Sequence, residues 1–206
     1  MSVKLYYAHD PMCSWCWAFR PSLLSLSKGL PDEIVVVRIL GGLATDSEEP
    51  MPDETRQLVQ GHWQAIEKQV PATQFNHDFW VDCEPRRSTY PSCRAVIAAR
   101  NQGQEFDAEM SFAIQQAYYV HARNPSDYST LIELSDELGL DKDRFAQDIK
   151  SLEINETLHE EIKQSRRLGL NSFPGLLLDN GEKQLRINPD YINADAMLEK
   201  THEFNE

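Results

Sequence analysis

Short continuous apolar runs near both ends of the chain and a helical period between them predict the order of elements. Val3-Lys4-Leu5-Tyr6-Tyr7-Ala8 is short and rich in β-formers, and His9-Asp10-Pro11 closes it, which predicts a buried strand running into a loop that holds His9. From Cys13 to Lys28 the apolar positions Trp17, Leu23, Leu24 and Leu26 predict a helix kinked by Pro21 and stopped by Gly29. Glu33 to Leu40, with Ile34, Val35, Val36, Val37 and Ile39, reads as a parallel strand covered on both faces. Gly41-Gly42 and the polar, proline-bearing stretch Thr45 to Pro52 mark a change of region.

Between about Asp53 and Lys150 the period is helical, with no strand pattern. Met110, Ala113, Ile114, Ala117, Val120 and His121 share one face, and Leu131, Leu134 and Leu138 line another helix. Asp127 and Asp141 stand where helix caps belong. Leu158, Ile162, Ser165 and Leu168 predict a further helix stopped by Gly169. Leu176-Leu177-Leu178 then resumes strand character, and Asp179-Asn180-Gly181 is a hairpin signal, because Asn and Gly tolerate positive φ. Lys183 to Ile187 is the returning strand, and Asn193 to Glu203 closes with a helix. The order is β, α, β, a helical block, then α, β, β, α, an α/β chain without internal repeats.

Composition narrows the function. Hydrophobic residues make up 41% and charged residues 26% of the 206, which predicts a globular core. The net charge of −13, from 33 acidic against 20 basic residues, disfavours phosphate backbones and anionic lipid, so neither nucleic acid nor membrane is an expected partner. Met1 to Ala8 lacks the basic start and long apolar run of a secretory signal, and no later run reaches membrane-spanning length, so the expected compartment is the cytoplasm. A reducing compartment does not keep structural disulfides closed, which leaves catalysis or metal binding for a clustered cysteine pair.

Only Cys13 and Cys16 are clustered. A disulfide catalyst needs one thiol that ionises readily and a second close enough to resolve the mixed disulfide. CxxC at a helix start supplies both, because the amides and dipole of the first turn stabilise a thiolate at the leading cysteine. Cys13 is then the attacker and Cys16 the resolver. The rival is half of a zinc site, which needs a second ligand pair. Cys83 and Cys93 have nine residues between them, which is no zinc knuckle, and strand, loop, CxxC, helix is a redox context.

Asp10-Pro11-Met12-Cys13-Ser14-Trp15-Cys16-Trp17 resembles the active-site segment of the DsbA-like thioredoxin family, in its cytoplasmic, FrnE-like form with a CxWC motif. Gly169-Leu170-Asn171-Ser172-Phe173-Pro174 stands where that family holds an X-Pro peptide cis, opposite the dithiol. The resemblance implies a thioredoxin-like fold (βαβ…αββα) interrupted by an all-helical insertion: residues 1–44 and 153–206 form the thioredoxin-like part and 45–152 the insertion. It implies a thiol-disulfide oxidoreductase or isomerase acting on protein thiols and disulfides or on glutathione. Cys13 and Cys16 are then catalytic, Phe173, Pro174 and Trp15 bind substrate, and His9 and Ser14 modulate. No prosthetic cofactor or metal is required, and reducing equivalents come from glutathione, as a co-substrate, or from another thioredoxin-like protein. Ser14-Trp15 is not the dipeptide of the periplasmic oxidant for which the family is named, and the dipeptide tunes redox direction.

An alternative with the same interrupted fold is a glutathione-binding transferase or isomerase of the kappa and 2-hydroxychromene-2-carboxylate isomerase type. Those enzymes carry a serine near the Cys13 position, and the intact CxxC argues against them. A third class is a binding module that uses the helical insertion to hold a partner, with the dithiol a remnant; loss of either cysteine would have favoured it, and neither is lost. Thr89-Tyr90-Pro91-Ser92-Cys93-Arg94-Ala95 resembles the segment that opens an insertion helix in cytoplasmic relatives. Cys93 is expected as a buried thiol, Cys83 beside Asp82 and Glu84 as a poor thiolate, and Trp63, Phe79 and Trp80 as filling of a helical core. The remaining histidines show no metal-ligand spacing.

Overall fold

A computed structural model describes residues 3–205. In chain order the elements are β1 (Val3–His9), α1 (Ser14–Gly29), β2 (Ile34–Leu40), α2 (Asp53–Gln69), α3 (Phe79–Asp82), α4 (Tyr90–Arg100) and α5 (Phe106–Tyr119). Then come α6 (Tyr128–Glu137), α7 (Lys142–Asp148), α8 (Leu152–Arg167), β3 (Gly175–Asp179), β4 (Gln184–Ile187) and α9 (Ala194–Asn205). The chain divides into two compact units, Met1–Gly41 with Glu161–Glu206, and Gly42–Glu160.

The first unit holds the sheet, in the order β2-β1-β3-β4. β1 pairs parallel with β2 and antiparallel with β3, and β3 pairs antiparallel with β4. Alternation along β1 sends Leu5 and Tyr7 to one face, where they pack with Phe19, Leu23 and Leu26 of α1 and Met197 and Phe204 of α9. Tyr6 and Ala8 face the other way, with Ile39, Leu170 and Leu177. Each large side chain so enclosed contributes about 1.5–3 kcal/mol relative to exposure.

Two local expectations change here. The apolar run of β2 reads as a strand covered on both faces, but β2 is an edge strand and Val35 is exposed. α1 contains Pro21 and ends at Gly29, where its stop was expected. His9 lies not in a loop but at the end of β1, paired with Leu40 and buried.

The turns follow their residues. Gly169, at φ 70°, ends α8 in a left-handed cap: its amide bonds the Arg166 carbonyl at 2.9 Å, and the Leu170 amide reaches back to the Ser165 carbonyl at 2.9 Å. Asn180 Oδ1 accepts the Glu182 and Lys183 amides at the β3–β4 hairpin, where Gly181 sits at φ 88°.

The second unit is helical among the described residues, apart from an isolated bridge between Pro50 and Arg86. Asp141 caps α7 by accepting the Arg144 amide at 3.0 Å. Asp127 is the N-cap residue of α6, but its carboxylate makes no cap bond and takes Arg86 at 2.5 Å instead. α5 ends at Tyr119, so His121 falls beyond the helix and is exposed, and Ala113 and Val120 are only half-buried. Trp63, Phe79 and Trp80 fill a buried aromatic cluster with Phe75, Tyr118 and Tyr119.

Candidate functional site

The turn after β1 sets the first cysteine. Asp10 accepts the Met12 amide on its carboxylate at 2.8 Å and the Cys13 amide on its carbonyl at 3.0 Å. Cys13 thereby becomes the N-cap of α1, at φ −83° and ψ 115°, and its sulfur accepts the Cys16 amide at 3.4 Å. The same sulfur donates to the Phe173 carbonyl at 3.5 Å. The Phe173–Pro174 peptide is cis. Ser14 is the first helical residue, half-buried beside the dithiol.

Cys16, two residues into the helix from Ser14, is wholly buried, and both cysteines of the motif are thiols. Burial pushes the Cys16 thiol well up from its ordinary range, and the hydrogen bond and charge of Cys13 add to this. The Asp10 amide works against the rise, while the Asp10 carboxylate reinforces it. The Tyr7 hydroxyl is likewise pushed well up, first by burial and then by the charge of the neighbouring Cys16. His9 stacks on the Tyr7 ring at 4.9 Å and 3°, and the Arg38 guanidinium lies 5.4 Å from the ring centre.

Trp15 and Phe173 are the half-buried aromatics of the motif and its opposing segment, and Pro174 is buried. Trp15 meets Tyr191 edge-on at 5.2 Å, and Tyr191 meets Phe19 at 5.7 Å. Burial, then Cys16 and Cys13, raises the Tyr191 hydroxyl. Gly41 lies against the Phe173 ring so closely that a Cβ there would fall 1.9 Å from Cζ.

The structure thus brings Cys13, Cys16 and Phe173 together, with Trp15, Ser14 and Pro174 bordering them and His9 set behind Tyr7 on β1. Tyr7, Asp10, Gly41 and Tyr191 also belong to it and are absent from the sequence expectation. Strand alternation carries a signal for Tyr7, two residues before His9, whereas Tyr191 sits in an irregular segment with no pattern to expose it.

The other cysteines lie in the second unit. Cys83 donates to the Ala122 carbonyl at 3.0 Å, and burial, then Asp127 and Asp82, raises its thiol. Cys93 is fully buried on α4. Among the described residues no group of three or more His, Cys, Asp or Glu is placed to hold a metal ion.

A thioredoxin family model matches residues 6–189. The chain belongs to the thioredoxin family. Within it the fold is DsbA-like. This thioredoxin-family chain is similar to a solved structure from Nitrosomonas europaea provisionally named a protein disulfide isomerase, at 25% identity and TM-score 0.84, covering 99% of this chain and 97% of that one. It shares the fold of the cytosolic disulfide reductase DsbM from Pseudomonas aeruginosa, solved with GSH, at 24% identity and TM-score 0.77, covering 97% of this chain and 99% of that one. It is 21% identical over 182 residues to the ClpXP adapter protein SpxH of Bacillus subtilis (strain 168), covering 88% of this chain and 60% of that protein. The thioredoxin-family chain therefore spans about 60% of the length of that curated relative.

Proposed function

We propose that the protein exchanges disulfides through Cys13 and Cys16, with Cys13 attacking and Cys16 resolving, and reduces protein or glutathione disulfides in the cytoplasm. The observation that carries this is the N-cap geometry of Cys13, whose sulfur receives the Cys16 amide and faces the Phe173 carbonyl. In the reaction the Cys13 thiolate attacks a substrate disulfide, a Cys13–substrate S–S bond forms, and one substrate thiolate leaves. Cys16 then attacks Cys13, the Cys13–Cys16 disulfide closes, and the second substrate thiolate leaves. Two electrons pass to the substrate, and the two dithiol protons end on its two thiols.

The Phe173 carbonyl and the Trp15–Tyr191 pair border the attacking sulfur, and in this reading an extended substrate segment pairs with Phe173 there while Trp15 offers an apolar contact. His9, through its stack on Tyr7, and Ser14, at the first helical position, modulate the dithiol. Residues 45–152 form the insertion and 1–44 with 153–206 the thioredoxin-like part. No prosthetic group enters the reaction. The reducing direction and the compartment draw support from the cytosolic disulfide reductase of like fold, and glutathione from the GSH in that structure. The Bacillus adapter protein is a longer chain, and adapter work stays outside the proposal.

The test is reduction of disulfide-bonded insulin and of glutathione disulfide under a coupled reductant. Cys13→Ser falls to the uncatalysed rate, and a Cys13→Ser protein that keeps its rate would overturn the assignment.

A further inference from the structure

Along an edge strand the amides turn alternately toward the neighbouring strand and toward the open side. At the end of β2 the Gly41 amide turns inward to the His9 carbonyl at 2.7 Å, so the Leu40 amide before it turns outward. Leu40 is 1% exposed, and a buried amide needs a partner other than bulk water. The Glu161 carboxylate of α8 takes it at 2.8 Å.

Four residues further along α8, and so on the same face, stands Ser165, which is 1% exposed. Its hydroxyl donates to the Leu170 carbonyl at 2.6 Å, and the Leu170 amide returns to the Ser165 carbonyl at 2.9 Å. Leu170 belongs to the cluster of Tyr6, Ala8, Ile39 and Leu177 against which Phe173 also packs. Two polar side chains one helical turn apart thus hold the strand end that leads into Gly41 and the segment that leads into Phe173.

These two segments meet at the dithiol. The Phe173 ring lies on the Gly41 α-carbon, where a Cβ would fall 1.9 Å from Cζ, and the Phe173 carbonyl faces the Cys13 sulfur at 3.5 Å. The segment has little slack behind it, since a Cβ on Gly175 would lie 2.9 Å from the Ser172 carbonyl oxygen. A shift of either segment is therefore passed on to the Phe173 carbonyl.

We propose that Glu161 and Ser165 are positioning residues of the disulfide exchange, which fix these two segments so that the Phe173 backbone is set to pair with an extended protein substrate beside the Cys13 sulfur. This rests on the Cys13–Cys16 reading. The bonds that form and break are those of the exchange, and Glu161 and Ser165 act only through the backbone they hold. A protein segment uses the Phe173 backbone along its length, whereas small glutathione disulfide needs little more than the sulfur. Loosening the clamp weakens the first substrate and spares the second. Because pairing to Phe173 is present in the bound and the reacting complex alike, the loss falls on KM.

The experiment measures reduction of insulin disulfide across insulin concentrations, and formation of the Cys13–glutathione adduct from glutathione disulfide by rapid acid quench, on the full chain and its variants. In Glu161→Ala and in Ser165→Ala, KM for insulin rises about threefold to tenfold at nearly constant kcat, while the adduct forms at the rate of the unaltered protein. Glu161→Gln, whose side-chain carbonyl still accepts the Leu40 amide, restores KM. An unchanged KM in either alanine variant overturns the proposal, as does a Glu161→Gln protein no better than Glu161→Ala. Equal losses on both disulfides, which loss of folded protein would also give, overturn it too. Absence of any adduct at Cys13 in the unaltered protein and in Cys16→Ser refutes the dithiol reading itself, a result distinguishable from the others because it needs no change on α8.

Discussion

At the residue scale, the site is built from close approaches that a side chain one atom larger would break. Gly41 bonds the His9 carbonyl through its amide at 2.7 Å and leaves its α-carbon face to the Phe173 ring. Gly41→Ala drives the half-exposed ring away, and with it the carbonyl that the Cys13 sulfur faces. We predict that kcat/KM for insulin disulfide falls about threefold to tenfold, a positioning loss of roughly 1 kcal/mol, while the adduct at Cys13 with small glutathione disulfide forms nearly as before. Equal losses for both substrates would remove Phe173 from the substrate path. Cys13, Cys16, Phe173 and Pro174 were legible as residues because their spacing and neighbours resemble a known segment. Gly41 was legible only as a break in the pattern, since nothing in a sequence says which ring will lie on a glycine.

Among the elements, turns and caps carry their own chemistry and can be read locally. Gly169 with its left-handed φ, the Asn180-Gly181 hairpin and the Asp141 cap depend on residues a few positions apart. β2 could not be read in this way, because an apolar run does not state whether a second neighbour will pair with its free edge. Asp127 takes the N-cap position of α6, but that its side chain makes no cap bond could not be read locally either: Arg86, 41 positions away, claims its carboxylate at 2.5 Å. α4 carries a long-range device of this kind in Arg94, which is 5% exposed. Burial works against its charge, and hydrogen bonds from its guanidinium to Asp46 at 2.5 and 2.9 Å and to the Tyr128 hydroxyl at 2.8 Å outweigh burial, so its pKa stands above the ordinary value. Asp46→Asn leaves that charge enclosed with neutral partners only. The loss should be about 1–2 kcal/mol, toward the low end for a charged hydrogen bond because the Asp46 carboxylate is half-exposed, and should appear as a lower urea midpoint at unchanged slope. An unchanged midpoint would show that the pair contributes nothing net.

On the scale of the whole molecule, the family match runs over residues 6–189 and so takes in both the dithiol and the Phe173–Pro174 segment. No helix among the described residues is long and apolar enough to cross a membrane. The fold places one sulfur at a helix N-cap and a second in the core beneath it, and the central claim is that these two sulfurs perform successive steps. The most direct measurement is intact-mass and peptide-mass analysis of Cys16→Ser and Cys13→Ser after brief exposure to glutathione disulfide at neutral pH. One glutathione is expected on Cys16→Ser, mapped to Cys13, and almost none at Cys16 in Cys13→Ser, because Cys16 is enclosed and its thiol is held up from ionisation. Equal adducts at the two sulfurs, or none at either, would contradict it.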